Sequence, residues 1–285
     1  IDGPPPPIAP EVVARDEQGG VTVRAIKLAE GIRLDGQLDE EVYQTVPPIT
    51  GLIQRLPVEG APATEKTEAW IMFDDTNVYV SGRMRDSAPE SEWVANEMRR
   101  DTNQLRQNDT FTVFFDTFYD RRNGYNFYTN PLGARADQQF TNEGNSNGDW
   151  NPVWDVRTGR FDGGWTVEME IPFKSLRYPS VGNQAHRWGF QIVRGIRGKD
   201  ETVVWAPVSR SISGFLPQMG LLEGMSGLST SRNLEILPTV TAVQVGSLDT
   251  TTGAFPGESQ PEGGLNLKYG LTSNLTLDAT FNPDF

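Results

Sequence analysis

Glu68-Ala69-Trp70-Ile71-Met72-Phe73, then Asp74-Asp75-Thr76-Asn77, then Val78-Tyr79-Val80-Ser81-Gly82: this stretch decides how the chain is read. Two short runs rich in β-formers, divided by residues that favour tight turns, predict a hairpin. The same kind of text extends outward from it. Thr110-Phe111-Thr112-Val113-Phe114-Phe115-Asp116 is apolar or β-branched at successive positions, which suits a central strand covered on both faces. Gly124-Tyr125-Asn126-Phe127-Tyr128-Thr129-Asn130 alternates and stops at Pro131, which has no N–H for a ladder. Residues 165–171, 187–194 and 202–205 read as later strands, and 91–98 and 173–176 alone read as helical. The expected fold class is all-β: an antiparallel two-sheet β-sandwich, immunoglobulin- or jelly-roll-like, over residues 21–228.

Composition agrees. With 29 Gly and 20 Pro among 285 residues, helices would be interrupted often, whereas turns would be well supplied. A hydrophobic share of 36% is enough to fill a core at this length. The net charge of −13 opposes phosphate backbones and anionic headgroups, so nucleic acid is not an expected partner and neither is a lipid surface held by basic residues. Cations, neutral glycans and basic protein patches fit it better. The absence of Cys removes thiolate nucleophiles, disulfides and Cys-ligated zinc.

Pro4-Pro5-Pro6-Pro7 and Ile8-Ala9-Pro10 predict a stiff polyproline II tether over residues 1–20. The start at Ile1-Asp2 fits a chain from which a signal peptide has been removed, hence an exported protein of the periplasm or outer membrane. No run approaches the ~20 apolar residues of a transmembrane helix. Residues 229–285 read as a linker and a second β unit. There Leu265, Leu267, Tyr269 and Leu271 alternate with polar residues, Thr272-Ser273-Asn274 turns the chain, and Leu275, Leu277, Ala279 and Phe281 alternate again. That is the pattern of the first strands of a membrane β-barrel.

Three motifs resemble a known family. They are Ile32-Arg33-Leu34-Asp35-Gly36-Gln37-Leu38-Asp39-Glu40 with Tyr43 close behind; Phe115-Asp116-Thr117-Phe118-Tyr119-Asp120-Arg121-Arg122-Asn123-Gly124-Tyr125, continuing to Asn130-Pro131-Leu132-Gly133-Ala134; and Gly164-Trp165-Thr166-Val167-Glu168-Met169-Glu170-Ile171-Pro172-Phe173-Lys174-Ser175-Leu176-Arg177-Tyr178. The chain is similar to large bacterial envelope proteins in which a domain like the family-9 carbohydrate-binding module precedes an outer-membrane-type β-barrel. Asn282-Pro283-Asp284-Phe285 resembles the opening of that barrel region. The resemblance implies a carbohydrate-binding-module-like sandwich, export and glycan binding, and it does not imply catalysis.

Chemistry-bearing residues point the same way. The lone His186 lies in a turn-like context and no Gly-x-Ser-x-Gly elbow surrounds a serine, so the parts of a nucleophilic hydrolase are missing. Glu168 and Glu170 share one strand face, opposite Val167, Met169 and Ile171; a wet acidic face explains them more simply than a glycosidase pair. Asp116, Asp120 and Asn123 are the candidate metal ligands, for calcium if any ion binds, although Asx-turn capping accounts for them, as it does for Asp74, Asp75 and Asn77. No other cofactor is expected. Sugar recognition stacks flat aromatics on pyranose faces, with amides and charged groups at the hydroxyls. Trp150, Asn151 and Trp154 in one polar loop and Trp93 in another are the candidate ligand-binding residues, whereas Trp70, Trp165, Trp188 and Trp205 lie in strand patterns and suit the core. Arg99, Arg100, Arg121 and Arg122, interleaved with acids, read as surface ion-pair formers; Arg177, Arg187, Arg194 and Arg197 read as a stripe along one sheet. The expected function is non-catalytic binding at the cell envelope, with a glycan as ligand. The alternative is a structural accessory subunit docking on the extracytoplasmic side of a larger membrane protein complex.

Overall fold

The computed structural model describes residues 3–143, 145–182, 184–228, 234–246, 248, 250–253, 257–270 and 276–282. The chain divides into two units, Ile1–Ser229 and Thr230–Phe285. The first is a two-sheet β-sandwich. Its elements in chain order are β1 (Val13–Arg15), β2 (Val21–Arg24), β3 (Ile26–Lys27), α1 (Glu41–Thr45), β4 (Ile53–Leu56), β5 (Thr67–Phe73), β6 (Asn77–Arg85), β7 (Thr110–Asp116) and β8 (Gly124–Thr129). Then come β9 (Arg135–Thr141), β10 (Asn145–Asn147), β11 (Asp155–Phe161), β12 (Gly164–Pro172), β13 (His186–Ile196), β14 (Glu201–Val204) and β15 (Gly220–Met225).

The large sheet runs β1-β2-β15-β13-β7-β8-β9-β10, with β14 branching from β13 and β4 beside β14; the small sheet runs β11-β12-β6-β5-β3. The ladders are antiparallel except β2 with β15 and β3 with β5. Both exceptions come from one segment. The chain leaves β2, crosses at Ala25, whose N–H donates to the Glu223 carbonyl at 2.8 Å, and enters β3 on the other sheet. Strand pairing begins at Val13, opposite Val23, and not at Val21 as expected. Val12 is buried and Thr22 Oγ1 donates to the Pro4 carbonyl at 2.5 Å, so the predicted 1–20 tether is in part packed on the sandwich.

The hairpin of residues 68–82 forms as read. Thr67 to Phe73 pairs with Met84 to Val78, and Asp74 Oδ1 closes the turn by accepting the N–H groups of Thr76 and Asn77, each at 2.7 Å. Alternation then sorts the side chains. Ala69, Ile71, Phe73, Val78 and Val80 point into the main core, where they meet Trp165, Val167, Met169 and Ile171 of β12 and face Phe111, Val113, Phe115, Phe127, Trp188 and Phe190 of the large sheet. The other face of β5 and β6 carries Trp70, Met72 and Tyr79, which form a second cluster under Ile26, Leu28, Ile32, Leu38, Val42, Tyr43 and Val46.

Helical structure differs from expectation. Residues 91–98 form no helix: a single 3-10 turn covers Glu90–Glu92, and beyond it the Val94 N–H is taken by Asp109 Oδ2 at 3.0 Å. Residues Phe173–Ser175 do form a 3-10 turn, while α1 and the 3-10 turn Asn103–Gln107 carried too little periodicity to be read. The arginine stripe is not realised either. Arg187 is exposed beside Glu223 at 3.4 Å, whereas Arg194 is 1% exposed on the inward face of β13.

The second unit is a three-stranded antiparallel sheet of β16 (Leu234–Gly246), β17 (Gly257–Gly270) and β18 (Thr276–Phe281). Its register puts Leu234, Tyr269 and Leu277 in one cross-strand row, Ile236, Leu267 and Ala279 in the next, and Pro238, Leu265 and Phe281 in a third, all on one face. That face is open: Ile236 is 56% exposed and Phe281 74%. The opposite face carries Asn266, Thr280 and the pair Lys268–Asp278. The linker residues 229–231, the turn 272–274, Leu271, Leu275 and residues 283–285 of the terminal motif lie outside the described residues.

Arg194 tests the inter-sheet packing. It donates to the carbonyls of Lys66 (3.3 Å) and Arg85 (2.7 Å) and to Thr67 Oγ1 (3.1 Å), with Asp86 at 3.6 Å. Removing one member of such a buried set strands the others, so Arg194→Ala should cost about 3–5 kcal/mol in denaturant unfolding, while exposed Arg187→Ala should cost well under about 1 kcal/mol.

Candidate functional site

The two sheets treat their outer faces differently. On the small sheet the outer face is roofed by residues 26–46, and Glu168 is the fastening. Its Oε2 accepts the N–H groups of Asp35 (3.0 Å) and Gly36 (2.7 Å), and its Oε1 accepts the Tyr43 hydroxyl (3.0 Å), which also meets Ser81 Oγ at 2.8 Å. Gly36 sits at φ +83° with Thr158 backbone 2.6 Å from where a Cβ would stand, so only glycine fits under the roof. The expectation of a solvent-facing Glu168 is therefore corrected: it is 0% exposed, because a segment distant in sequence covers its face. Burial pushes its carboxyl up to about 7. Glu170 is half-buried and accepts Asn77 Nδ2 at 2.9 Å; its carboxyl is also raised by burial. The two acids share no open cleft.

Among the described residues, the outer face of the large sheet is covered at its ends and shows aromatic side chains between. Register aligns Gln191 of β13, Phe114 of β7, Asn126 of β8 and Gln138 of β9 in one row across the sheet. Directly opposed residues share a face. Phe114 lies 6.0 Å from Phe140, two residues on from Gln138, and 4.8 Å from Phe215 in the loop before β15; all three rings are half-buried. Gln191 is occupied, its Oε1 accepting the N–H groups of Trp205 (3.0 Å) and Ala206 (2.9 Å). Asn126 is 2% exposed and its Oδ1 has no hydrogen-bond partner. Arg106 lies over the Tyr128 ring at 5.4 Å and donates to Gln138 Oε1. Arg55 lies over the Phe215 ring at 5.8 Å. Three rings flanked by the half-buried Gln138 amide and two guanidinium groups offer apolar area for a sugar face and bonding groups for its hydroxyls.

The residues expected from the sequence are distributed otherwise. Trp154 is 2% exposed, its Nε1–H donating to Asp137 Oδ2 at 2.8 Å and its ring edge-on to Phe127, so it is a core residue and not a binding platform. Trp150 is half-buried with Tyr125 4.7 Å below it, leaving at most its outer side for contact. Asn151 is exposed beside it. Trp93 is half-buried elsewhere, donating to the Ala88 carbonyl at 3.1 Å beneath Arg160, whose guanidinium is 5.5 Å from the ring. Asp116 is buried and accepts the N–H groups of Asp120 (3.2 Å) and Arg121 (2.7 Å); Asp120 accepts those of Arg122 and Asn123, each at 2.8 Å. These are turn-capping bonds. Among the described residues no group of three or more His, Cys, Asp or Glu side chains is placed to hold a metal ion. His186 is not a loop residue: it opens β13, 4% exposed, against Tyr178 (5.1 Å) and Trp188 (6.0 Å), and burial lowers its pKa. Of the arginines, Arg100 reaches the buried Asp137 at 3.0 Å and Arg121 donates to the Met219 carbonyl at 2.8 Å, so both hold the fold and not merely the surface.

The outer-face rings are not legible in the sequence because Phe114, Phe140 and Phe215 lie far apart in it, and a strand apolar on both faces reads as covered on both. The signal was present at β7, where both faces are apolar: one face makes the core, so the other needed a use.

A two-sheet sandwich with an aromatic-bearing outer sheet face is the frame on which the comparisons with known proteins can be set. Residues 34–202 match the carbohydrate family 9 binding domain-like family, and the chain belongs to that family. Residues 233–285 match a domain of unknown function, DUF5916. No curated relative matches the sequence. Among solved structures the fold is similar to a candidate carbohydrate-binding protein from Bacteroides uniformis (TM-score 0.56, 12% identity, 71% of this chain and 98% of that one). It is also similar to a family 9 carbohydrate-binding module from Caldicellulosiruptor kristjanssonii, solved with glucose (TM-score 0.52, 13% identity, 74% and 98%) and with cellotriose (TM-score 0.51, 13% identity, 73% and 95%).

The roof over the small sheet makes a pH prediction. Glu168 binds its proton more tightly in the folded chain (about 7) than at its ordinary value of 4.5, so its contribution to stability is fullest below about 4.5 and is lost as pH rises through about 7. Glu168→Gln keeps an acceptor for Gly36 and removes the titration. Unfolding measured at ~pH 5 and ~pH 8 should show the variant gaining on the parent protein as pH rises.

Proposed function

We propose that the protein is a non-catalytic glycan-recognition protein of the bacterial cell envelope, binding its ligand across the outer face of the large sheet. The observation that carries this is the half-buried Phe114–Phe140–Phe215 cluster with Gln138, Arg55 and Arg106 beside it. Membership of a carbohydrate-binding family and likeness to modules solved with glucose and cellotriose support the ligand class. The loop holding Trp150 and Asn151 is the second surface a sugar could meet. Calorimetric titration with a panel of oligosaccharides should show binding that Phe114→Ala weakens by about tenfold or more, the equivalent of about 1.4 kcal/mol, and that Trp150→Ala leaves in place. Loss with Trp150→Ala alone would move the site to the rim loop, and no binding to any sugar would end the reading.

The C-terminal unit supports export to the outer membrane. β16 and β17, of 13 and 14 residues, exceed the ~9–11 residues a tilted strand needs to cross a bilayer. The open face of Leu234, Ile236, Leu265, Leu277 and Phe281 is the kind that meets acyl chains in a barrel wall. The same face would also serve the second reading, an accessory subunit seated on a larger membrane complex. Membrane fractions washed with high salt should retain the protein, and Leu265→Arg should release it, given a cost of about 2–4 kcal/mol for a cation at mid-bilayer. Stoichiometric co-purification of other chains after detergent extraction would favour the accessory subunit instead.

A further inference from the structure

We infer that the outer-face platform selects an anionic glycan, a chain carrying uronate carboxylates, over a neutral one. This rests on the glycan-binding reading of that face. The chain as a whole is strongly acidic, at −13, and about half of its arginines lie against carboxylates, among them Arg33 with Asp35, Arg99 with Glu97, Arg100 with Asp137, Arg157 with Asp155 and Arg160 with Glu90. Arg55 and Arg106 belong to the other half. Neither forms an ion pair among the described residues, and both lie beside the ring platform, Arg55 over Phe215 and Arg106 over Tyr128 next to Gln138. Arg55 Nε is moreover buried with no hydrogen-bond partner.

An unpaired guanidinium N–H beside an aromatic surface is a cost unless something takes it up. The outward side chains of β7, β8 and β9 offer no open carboxylate to do so. Outward positions on β7, β8 and β9 are Thr112, Phe114, Asn126, Tyr128, Gln138 and Phe140; the acid that shares this face, Asp116, is 0% exposed and committed to the turn after β7. Glu143 comes near at Gly214, beside Phe215, and is itself solvent-exposed, as is Glu59, which pairs with Arg210. A sugar ring stacked on Phe114 or Phe215 with a carboxylate on C5 supplies both what the rings need and a partner for the Arg55 Nη groups, which make no hydrogen bond within the described residues. A guanidinium fork holds a carboxylate with two parallel hydrogen bonds, a geometry that a hydroxyl cannot match.

The full chain is titrated with a galacturonic acid oligomer, the neutral galactose oligomer of equal length and a sulfated galactan oligomer. The acid oligomer should bind at least about tenfold tighter than the neutral one. Raising salt should shrink that ratio. Arg55→Gln should abolish it, and Arg55→Lys should restore it only in part, since lysine keeps the charge and loses the fork. Equal affinity for acid and neutral oligomers would overturn the selection while leaving glycan binding intact. Sulfated galactan binding as tightly as the uronate would overturn the carboxylate assignment. Failure of all three to bind, together with failure of a broad neutral panel, would remove the glycan reading itself and this inference with it.

Discussion

Everything in the sandwich depends on one layer of large side chains held between two sheets. Phe111, Phe115, Phe127, Trp165, Trp188, Phe190 and Trp205 are each no more than 1% exposed, and the rings touch in a chain: Phe115 with Phe127, Trp188 and Phe190, and Phe190 with Trp205, at centroid distances of 5.5–6.4 Å. Buried aromatics of this size contribute more per residue than any other side chain. Because they come from β7, β8, β12, β13 and the residue after β14, the layer fixes the register of both sheets. A one-residue slip in any strand would turn its rings outward.

Once the inner faces are committed, period-two geometry leaves each strand a second set of side chains whose fate the layer does not decide. On the small sheet that set includes Trp70, Tyr79 and Glu168, and the segment from Ile26 to Val46 closes over it. Glu168 is costly to bury, and the roof offsets part of that cost by giving it two backbone N–H donors and a hydroxyl. On the large sheet the corresponding set is covered only in part. Leu105 packs with Tyr128 and Ala136 at one end, and Leu216 reaches over Gly124 at the other, leaving Phe114, Phe140 and Phe215 between. The two sheets thus differ in how far their outer faces are covered, one roofed throughout and one only at its ends.

Alternation made the strands legible, which is why the hairpin of Glu68 to Gly82, the central strand at Thr110 and the run from Trp165 to Ile171 were readable from the residues. It could not show which outer face would be covered. That depends on contacts between residues such as Gly36 and Glu168, 132 positions apart. The same limit governs His186, Trp154 and Glu168, each polar or amphipathic and each read as exposed from local context. Their partners, Tyr178, Asp137 and Tyr43, arrive from other strands or segments. The turn acids were readable for the opposite reason: Asp74 and Asp120 bond to N–H groups two and three residues ahead, entirely within the local text.

The second unit shows how one pattern takes two meanings in the same chain. In β5 alternation ends in burial, because a partner sheet lies against its apolar face. In β16 to β18 it produces a face whose rows, Leu234 with Tyr269 and Leu277, and Pro238 with Leu265 and Phe281, remain open. An apolar sheet face of that width is unstable in water and needs a cover. Among the described residues the pair Lys268–Asp278 lies on the opposite face, so the two faces of the sheet differ in character and one cover would serve only one of them.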